Sequence, residues 1–170
     1  MPWRELSVWW VDEVSTDTAY ESVVTPLLLD LFSPVAGNLY LDLGSGEGRV
    51  IRTLSQMGMS VIGVDLNEGL AAQSGGPIAV AEIPPIPFRD DALDGVYSVL
   101  TLEHIPNLVG MFEEVARITR AGGVLLSLST IQSGQPHNRL RSLTPMVRLS
   151  GVPGTTFPAD LAIFPPEIPQ

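Results

Sequence analysis

The stretch L-Y-L-D-L-G-S-G-E-G-R-V, Leu39 to Val50, constrains the fold more than any other part of the chain. An apolar, strand-forming run meets Asp42, and glycines then occupy alternate positions at Gly44, Gly46 and Gly48. Glycine is needed where φ is positive or where something presses on the main chain. Leu39 to Leu43 reads as a buried strand. Gly48 to Met57 reads as a helix with Val50, Ile51, Leu54 and Met57 on one face and Gly58 ending it. A strand that turns through bare backbone into a helix opens a parallel βαβ unit, and the free N–H groups at the helix start favour an anionic ligand group.

The remainder of the chain extends this alternation. Asp17 to Phe32 is helical in pattern, with Leu27, Leu28 and Leu31 on its apolar face and Pro26 starting a fresh helix capped by Thr25. After Pro34, strands are expected at Ser60–Asp65, Ile78–Glu82, Leu93–Leu100 and Val124–Leu128. A short helix is expected at Asn67–Gln73. A longer one spans Asn107–Arg120, with Leu108, Phe112, Val115 and Ile118 inward, before the turn Ala121-Gly122-Gly123. The pattern implies an α/β fold: a Rossmann-like, open, mostly parallel sheet with five recognisable strands and helices on both faces. Three regions follow: an N-terminal helical segment (1–34), the sheet domain (35–128) and a Pro-rich, irregular or disordered tail (129–170). The three tryptophans within the first fourteen residues suit packing onto the core or a partner, or a flap over a site.

Composition narrows the function classes. The 170 residues are enough for one core. There is no cysteine, so disulfides, thiolate metal sites and cysteine nucleophiles are excluded, and two histidines, His104 and His137, are too few for a histidine-rich metal site; no metal is expected. Net charge is −10 and every basic residue is arginine. With no basic patch, nucleic acid is not an expected partner. No apolar run approaches the ~20 residues of a membrane span. The N-terminal M-P-W-R-E-L-S-V-W-W-V-D-E lacks the features of a signal peptide, which points to the cytoplasm.

The acids near the glycines say more about the ligand. The dinucleotide fingerprint G-x-G-x-x-G fails at its last position, where Arg49 stands; the pattern present is D-x-G-x-G-x-G. A pyrophosphate would also be poorly served by Asp42 and Glu47. Asp42, or carbonyls around it, would suit a cationic ammonium group. Asp65, ending the second strand, can accept from both ribose hydroxyls. Glu82, at the end of the third, can accept from a purine's exocyclic amine. Carboxylates only accept when ionised, so they select amines and hydroxyls over carbonyls.

These motifs together resemble those of the class I S-adenosylmethionine-dependent methyltransferases, in particular the small-molecule branch that includes quinone-biosynthesis C-methyltransferases. L-Y-L-D-L-G-S-G-E-G-R resembles the family's first motif, V-I-G-V-D its second, and A-E-I-P-P-I-P-F-R-D-D-A-L-D-G-V-Y-S-V-L-T-L-E-H-I its run from the third strand through the fourth. I-T-R-A-G-G-V-L-L resembles the turn into the fifth strand, with Ala121 where the family usually has proline. The resemblance covers roughly residues 20–128. It implies S-adenosyl-L-methionine as cofactor, held by Asp42, Gly44, Ser45, Gly46, Asp65, Leu66, Glu82, Ile83 and Leu102. Asp65 would be the ribose ligand, Ile83 would lie beside the adenine and Leu102 near the methionine end. His104 is the one candidate general base, or else a residue fixing the loop L-E-H-I-P. Methylation of a small-molecule acceptor is the implied transferase reaction. A non-catalytic cofactor-binding or interaction module is the alternative, and a nucleotide-dependent oxidoreductase the third.

Residues 129–170 hold seven of the fifteen prolines and two of the nineteen acids, and no clear period persists there. Family members normally continue with a helix and antiparallel strands that help shape the acceptor pocket. Read in a neighbouring frame, the tail is compatible with N-H-P and W-R-P-G-x-Y-F segments like those of some close family members. The expectation is a frameshifted or interrupted product with the break near Leu128; the alternative is a divergent, disordered tail. Either leaves the usual antiparallel strands missing, and turnover impaired, with an unpaired sheet edge that invites self-association in an otherwise undetermined oligomeric state.

Overall fold

The computed structural model describes residues 18, 20–130 and 143–150. Trp3, Trp9, Trp10 and His137 lie outside the described residues, as does most of the tail. Among the described residues, six strands form one sheet in the order β3-β2-β1-β4-β5-β6. These are β1 (Leu39–Leu43), β2 (Ser60–Asp65), β3 (Ile78–Val80), β4 (Leu93–Val99), β5 (Thr119–Thr130) and β6 (Leu143–Ser150). The pairings among β1 to β5 are parallel, and β6 runs antiparallel to β5. The helices are α1 (Thr25–Phe32), α2 (Arg49–Gln56), α3 (Glu68–Ala71) and α4 (Leu108–Ile118), with a π-helical turn at Tyr20–Val24 and a 3-10 turn at Leu102–His104.

Alternation along β1 sends Tyr40 to one face and Leu41 and Leu43 to the other. On the first face Tyr40, Val61, Tyr97, Val99, Leu126 and Leu128 pack against Val24, Leu28 and Phe32 from the N-terminal helical run and Val50, Ile51 and Leu54 from α2. Phe32 meets both Tyr40 (centroids 5.1 Å) and Tyr97 (5.5 Å) edge-on. On the second face Leu41, Leu43, Val64, Val96 and Leu125 are covered by Met111, Val115 and Ile118 of α4. The sheet is thus buried on both faces, as its strand composition implies.

Several expectations are corrected. Over Val124–Thr130 the far edge of β5 is paired with β6, so an antiparallel strand stands where none was expected. The segment L-T-P-M-V-R-L-S does alternate apolar and polar residues, with Pro145 and Met146 obscuring the pattern. Proline is tolerated because β6 is an edge strand, where a missing N–H need break no ladder. The turn Ala121-Gly122-Gly123 lies within β5 as an irregularity: Leu93 pairs Thr119 and Gly95 already pairs Val124. Thr25 does not cap a fresh helix; Val24 is already helical (φ −65°, ψ −52°), so the π turn runs straight into α1. Leu108 is not inward but 39% exposed, and Met111 takes the buried place.

Candidate functional site

The strand order reverses beside β1, with β2 and β3 to one side and β4 to the other, so the crevice at the carboxyl ends of β1 and β4 is where a ligand would lodge. A cavity of about 520 Å³ lies there. Its floor is the glycine loop. The N–H groups of Gly44 and Ser45 both donate to the Val64 carbonyl (2.8 and 3.1 Å), tying the loop to β2. Gly44 has φ +78°, and a Cβ there would overlap the Thr101 side chain; Gly46 has φ +55°, and a Cβ there would meet nothing within 4 Å. The first glycine therefore admits Thr101, and the second leaves bare backbone facing open space, as a cradle for a ligand requires.

Asp65, at the end of β2, braces that loop. Its Oδ2 accepts from the Gly46 N–H (2.8 Å) and its Oδ1 from the Asn67 N–H (2.7 Å). Asn67 in turn caps α3, its Oδ1 accepting from the Leu70 N–H at 3.1 Å. Burial raises the Asp65 carboxyl above its ordinary pKa, against the pull of these N–H groups. Each carboxylate oxygen retains accepting capacity for a further donor.

Asp42 lies deeper, 2% exposed, beside its register partner Tyr97 on β4. Burial is the main reason its carboxyl is pushed up to about 8; the neighbouring Tyr97 hydroxyl works against this, and the Asp65 and Glu47 carboxylates add to it. The Tyr97 hydroxyl is itself pushed up by burial and by Asp42, and the buried Ser45 hydroxyl in the loop has no hydrogen-bond partner among the described residues.

The profile of the methyltransferase domain matches residues 41–127, slightly more than half of the chain. The chain belongs to the class I S-adenosylmethionine-dependent methyltransferases. An uncharacterized methyltransferase of Mycobacterium sp. (strain JLS) is 32% identical over 103 residues, which are 58% of this chain and 41% of that protein. The chain thus spans about two fifths of the length of the curated relatives it matches. Among solved structures, a SAM-dependent methyltransferase from Aquifex aeolicus superposes with TM-score 0.67 at 18% identity, covering 76% of each chain. Geranyl diphosphate C-methyltransferase from Streptomyces coelicolor A3(2), solved with Mg2+, geranyl diphosphate and S-adenosyl-L-homocysteine, gives 0.61 at 20% identity, covering 68% of this chain and 49% of that one. These structural likenesses establish the fold.

Within this methyltransferase domain, Asp42, Gly44, Ser45, Gly46, Asp65, Leu66, Glu82, Ile83 and His104 all line this cavity. Leu102 does not. β4 ends at Val99, and the following 3-10 turn carries Leu102 into the core at 5% exposure, so Leu100 and Thr101 line the cavity instead. Glu82 sits beyond the end of β3, exposed at the rim, and His104 is also exposed. Sequence reasoning missed Tyr20 and Arg49. The Arg49 guanidinium stacks 4.4 Å from the centre of the Tyr20 ring and pairs with Glu47, drawing the N-terminal helical run over the glycine loop. Arg49 in the third-glycine position was visible in the sequence; Tyr20, inside a plain helical pattern, carried no signal.

Proposed function

We propose that the chain is a cytoplasmic enzyme domain that binds S-adenosyl-L-methionine and methylates a small-molecule acceptor. The observation that carries this reading is the convergence of the glycine loop, Asp65 and Glu82 on one cavity at the switch point of the sheet. The residues suit the cofactor: Gly46 offers open, left-handed backbone, and the acids match the donors of an adenosyl amino acid. Asp65 accepts from the ribose hydroxyls, Glu82 from the adenine amine, and Ile83 and Leu66 flank the base and sugar. The backbone of Gly44, Ser45 and Gly46, with Asp42 beneath, receives the ammonium end, and Leu100 and Thr101 take the place expected of Leu102. When bound, the cofactor supplies a methyl group already activated on a positively charged sulfur.

The chain's own contribution is then alignment and exclusion of water. His104, exposed on the turn after β4, accepts a proton from acceptors that must lose one. Acidic lining and the chain's net negative charge favour a small molecule over nucleic acid. The region from 35 to 128 forms the cofactor domain. No helix among the described residues is long and apolar enough to cross a membrane. Titration with S-adenosylhomocysteine, followed by methyl release with a panel of acceptors, tests the reading. Saturable one-to-one binding with acceptor-dependent turnover is expected. Binding without turnover would leave a cofactor-binding module, and absence of binding would overturn the assignment.

A further inference from the structure

The segment between β3 and β4 brings Glu82, Ile83 and Pro84 to the cavity, yet it has little regular structure of its own. Its start is fixed by the Ala81 N–H on the Asp65 carbonyl (3.0 Å). Its end is fixed by the N–H groups of Asp91 and Ala92 on the carbonyls of Arg117 and Ile118 (3.0 and 2.8 Å). Between these points one stripe of α4 supports it. Gly110, Glu114 and Arg117 are spaced four and three apart and so share a helix face.

Each member of the stripe meets a different part of the segment. At Gly110 an added Cβ would stand 3.1 Å from Pro84 Cγ and 2.5 Å from Asn107 Nδ2, so the bare helix surface there leaves room for the Pro84 ring and the Asn107 side chain. The Glu114 Oε2 accepts from the Ile86 N–H (2.9 Å). The Arg117 guanidinium spans the segment, donating to the Ile86 carbonyl (3.1 Å), the Phe88 carbonyl (2.8 Å) and Asp90 Oδ1 (2.8 Å), while Nε and Nη2 bind Glu114 (both 2.8 Å). Ile86 itself is 2% exposed. Arginine's fixed fork of donors suits this; a point-charge ammonium does not.

We propose that Gly110, Glu114 and Arg117 are positioning residues that set the placement of Glu82, Ile83 and Pro84, and thereby the selectivity of the cavity for the base of its ligand. None of the three need touch the ligand for this. The proposal rests on the reading that the cavity takes an adenosyl group. Glu82 discriminates adenine from hypoxanthine only if its carboxylate is held opposite the exocyclic amine, because a carbonyl there offers it no donor.

The test is calorimetric titration of the full chain with S-adenosylhomocysteine and with S-inosylhomocysteine, in which a carbonyl replaces the amine. The parent protein should favour the adenine ligand by about ten-fold or more, the worth of one well-placed hydrogen bond. Glu114→Ala and Arg117→Lys should each erode that ratio towards one, and Glu114→Gln, which keeps an oxygen for the Ile86 N–H, should restore part of it. A role confined to stability would lower the melting temperature and weaken both ligands together with the ratio intact; that result overturns the proposal. Should Glu114→Ala fail to fold, Arg117→Lys and Glu114→Gln carry the same comparison. If the parent binds neither ligand, the adenosyl reading fails and this inference with it; if the parent discriminates and the variants do so equally, only the inference fails.

Discussion

At Asp42, burial keeps a carboxyl near a pKa of about 8, so in the free protein at pH 7 it is mainly the uncharged acid. An ammonium group arriving beside it favours the carboxylate and draws the proton off. The affinity for S-adenosylhomocysteine should therefore rise from pH 6 to pH 8. Calorimetry in buffers of different ionisation heat should register proton release on binding near pH 7; no release would mean that Asp42 does not meet the cation. Stability has the opposite slope. Between the unfolded value of 3.8 and the folded value near 8 the native state holds the proton and the unfolded chain does not, so this group's contribution falls as pH rises through that window. Asp65 and His104 differ in what they hold. Asp65→Asn removes the carboxylate proposed to meet the ribose and disturbs the Gly46 contact, and should weaken S-adenosylhomocysteine binding about ten-fold or more. His104→Ala should leave that affinity within about two-fold and act on turnover instead. Equal losses in binding would contradict both roles. Asp42 and Asp65 were legible in the sequence because each falls at or near a strand end, where side-chain period and loop position are both fixed. The inward turn of the Leu102 side chain was not legible, because nothing in T-L-E-H marks the 3-10 turn that rotates it.

Elements were read most reliably where a single face decides them. β1, β2 and the helix after the glycines emerged within a residue or two, since their apolar periods are long and their ends are marked. α4 kept its inward Val115 and Ile118, but its first turn was mis-phased because Leu108 is apolar by type while the core takes Met111. β6 was missed because a proline inside a strand argues against a ladder unless the strand lies at an edge, and edge position is a property of the whole sheet. The pairing of β6 with β5 has a direct check. Backbone amides of Val124 to Thr130 should exchange slowly on both sides of the strand in hydrogen–deuterium exchange; fast exchange on the outer side would mean the edge is open.

At the scale of the molecule, two cores lie on opposite faces of one sheet, and every strand from β1 to β5 except the rim of the site contributes to their separation. Leu54→Ala on one face and Met111→Ala on the other, both fully buried positions, should each cost about 2–5 kcal/mol. Both should lower a single thermal transition; two transitions would mean that the faces melt independently. The fold class was legible because alternating elements, glycine loop and turn residues agree with one another. The acceptor side was not: the chain spans about two fifths of its curated relatives, and the segments flanking the described residues carry no period that fixes them. Because Asp65 already grips Gly46 and Asn67, part of the loop is braced before any guest arrives, which lowers the ordering cost of binding there. Association of S-adenosylhomocysteine is therefore expected to run in one phase in stopped-flow fluorescence, and a second, slow phase would mean that the loop rearranges after contact.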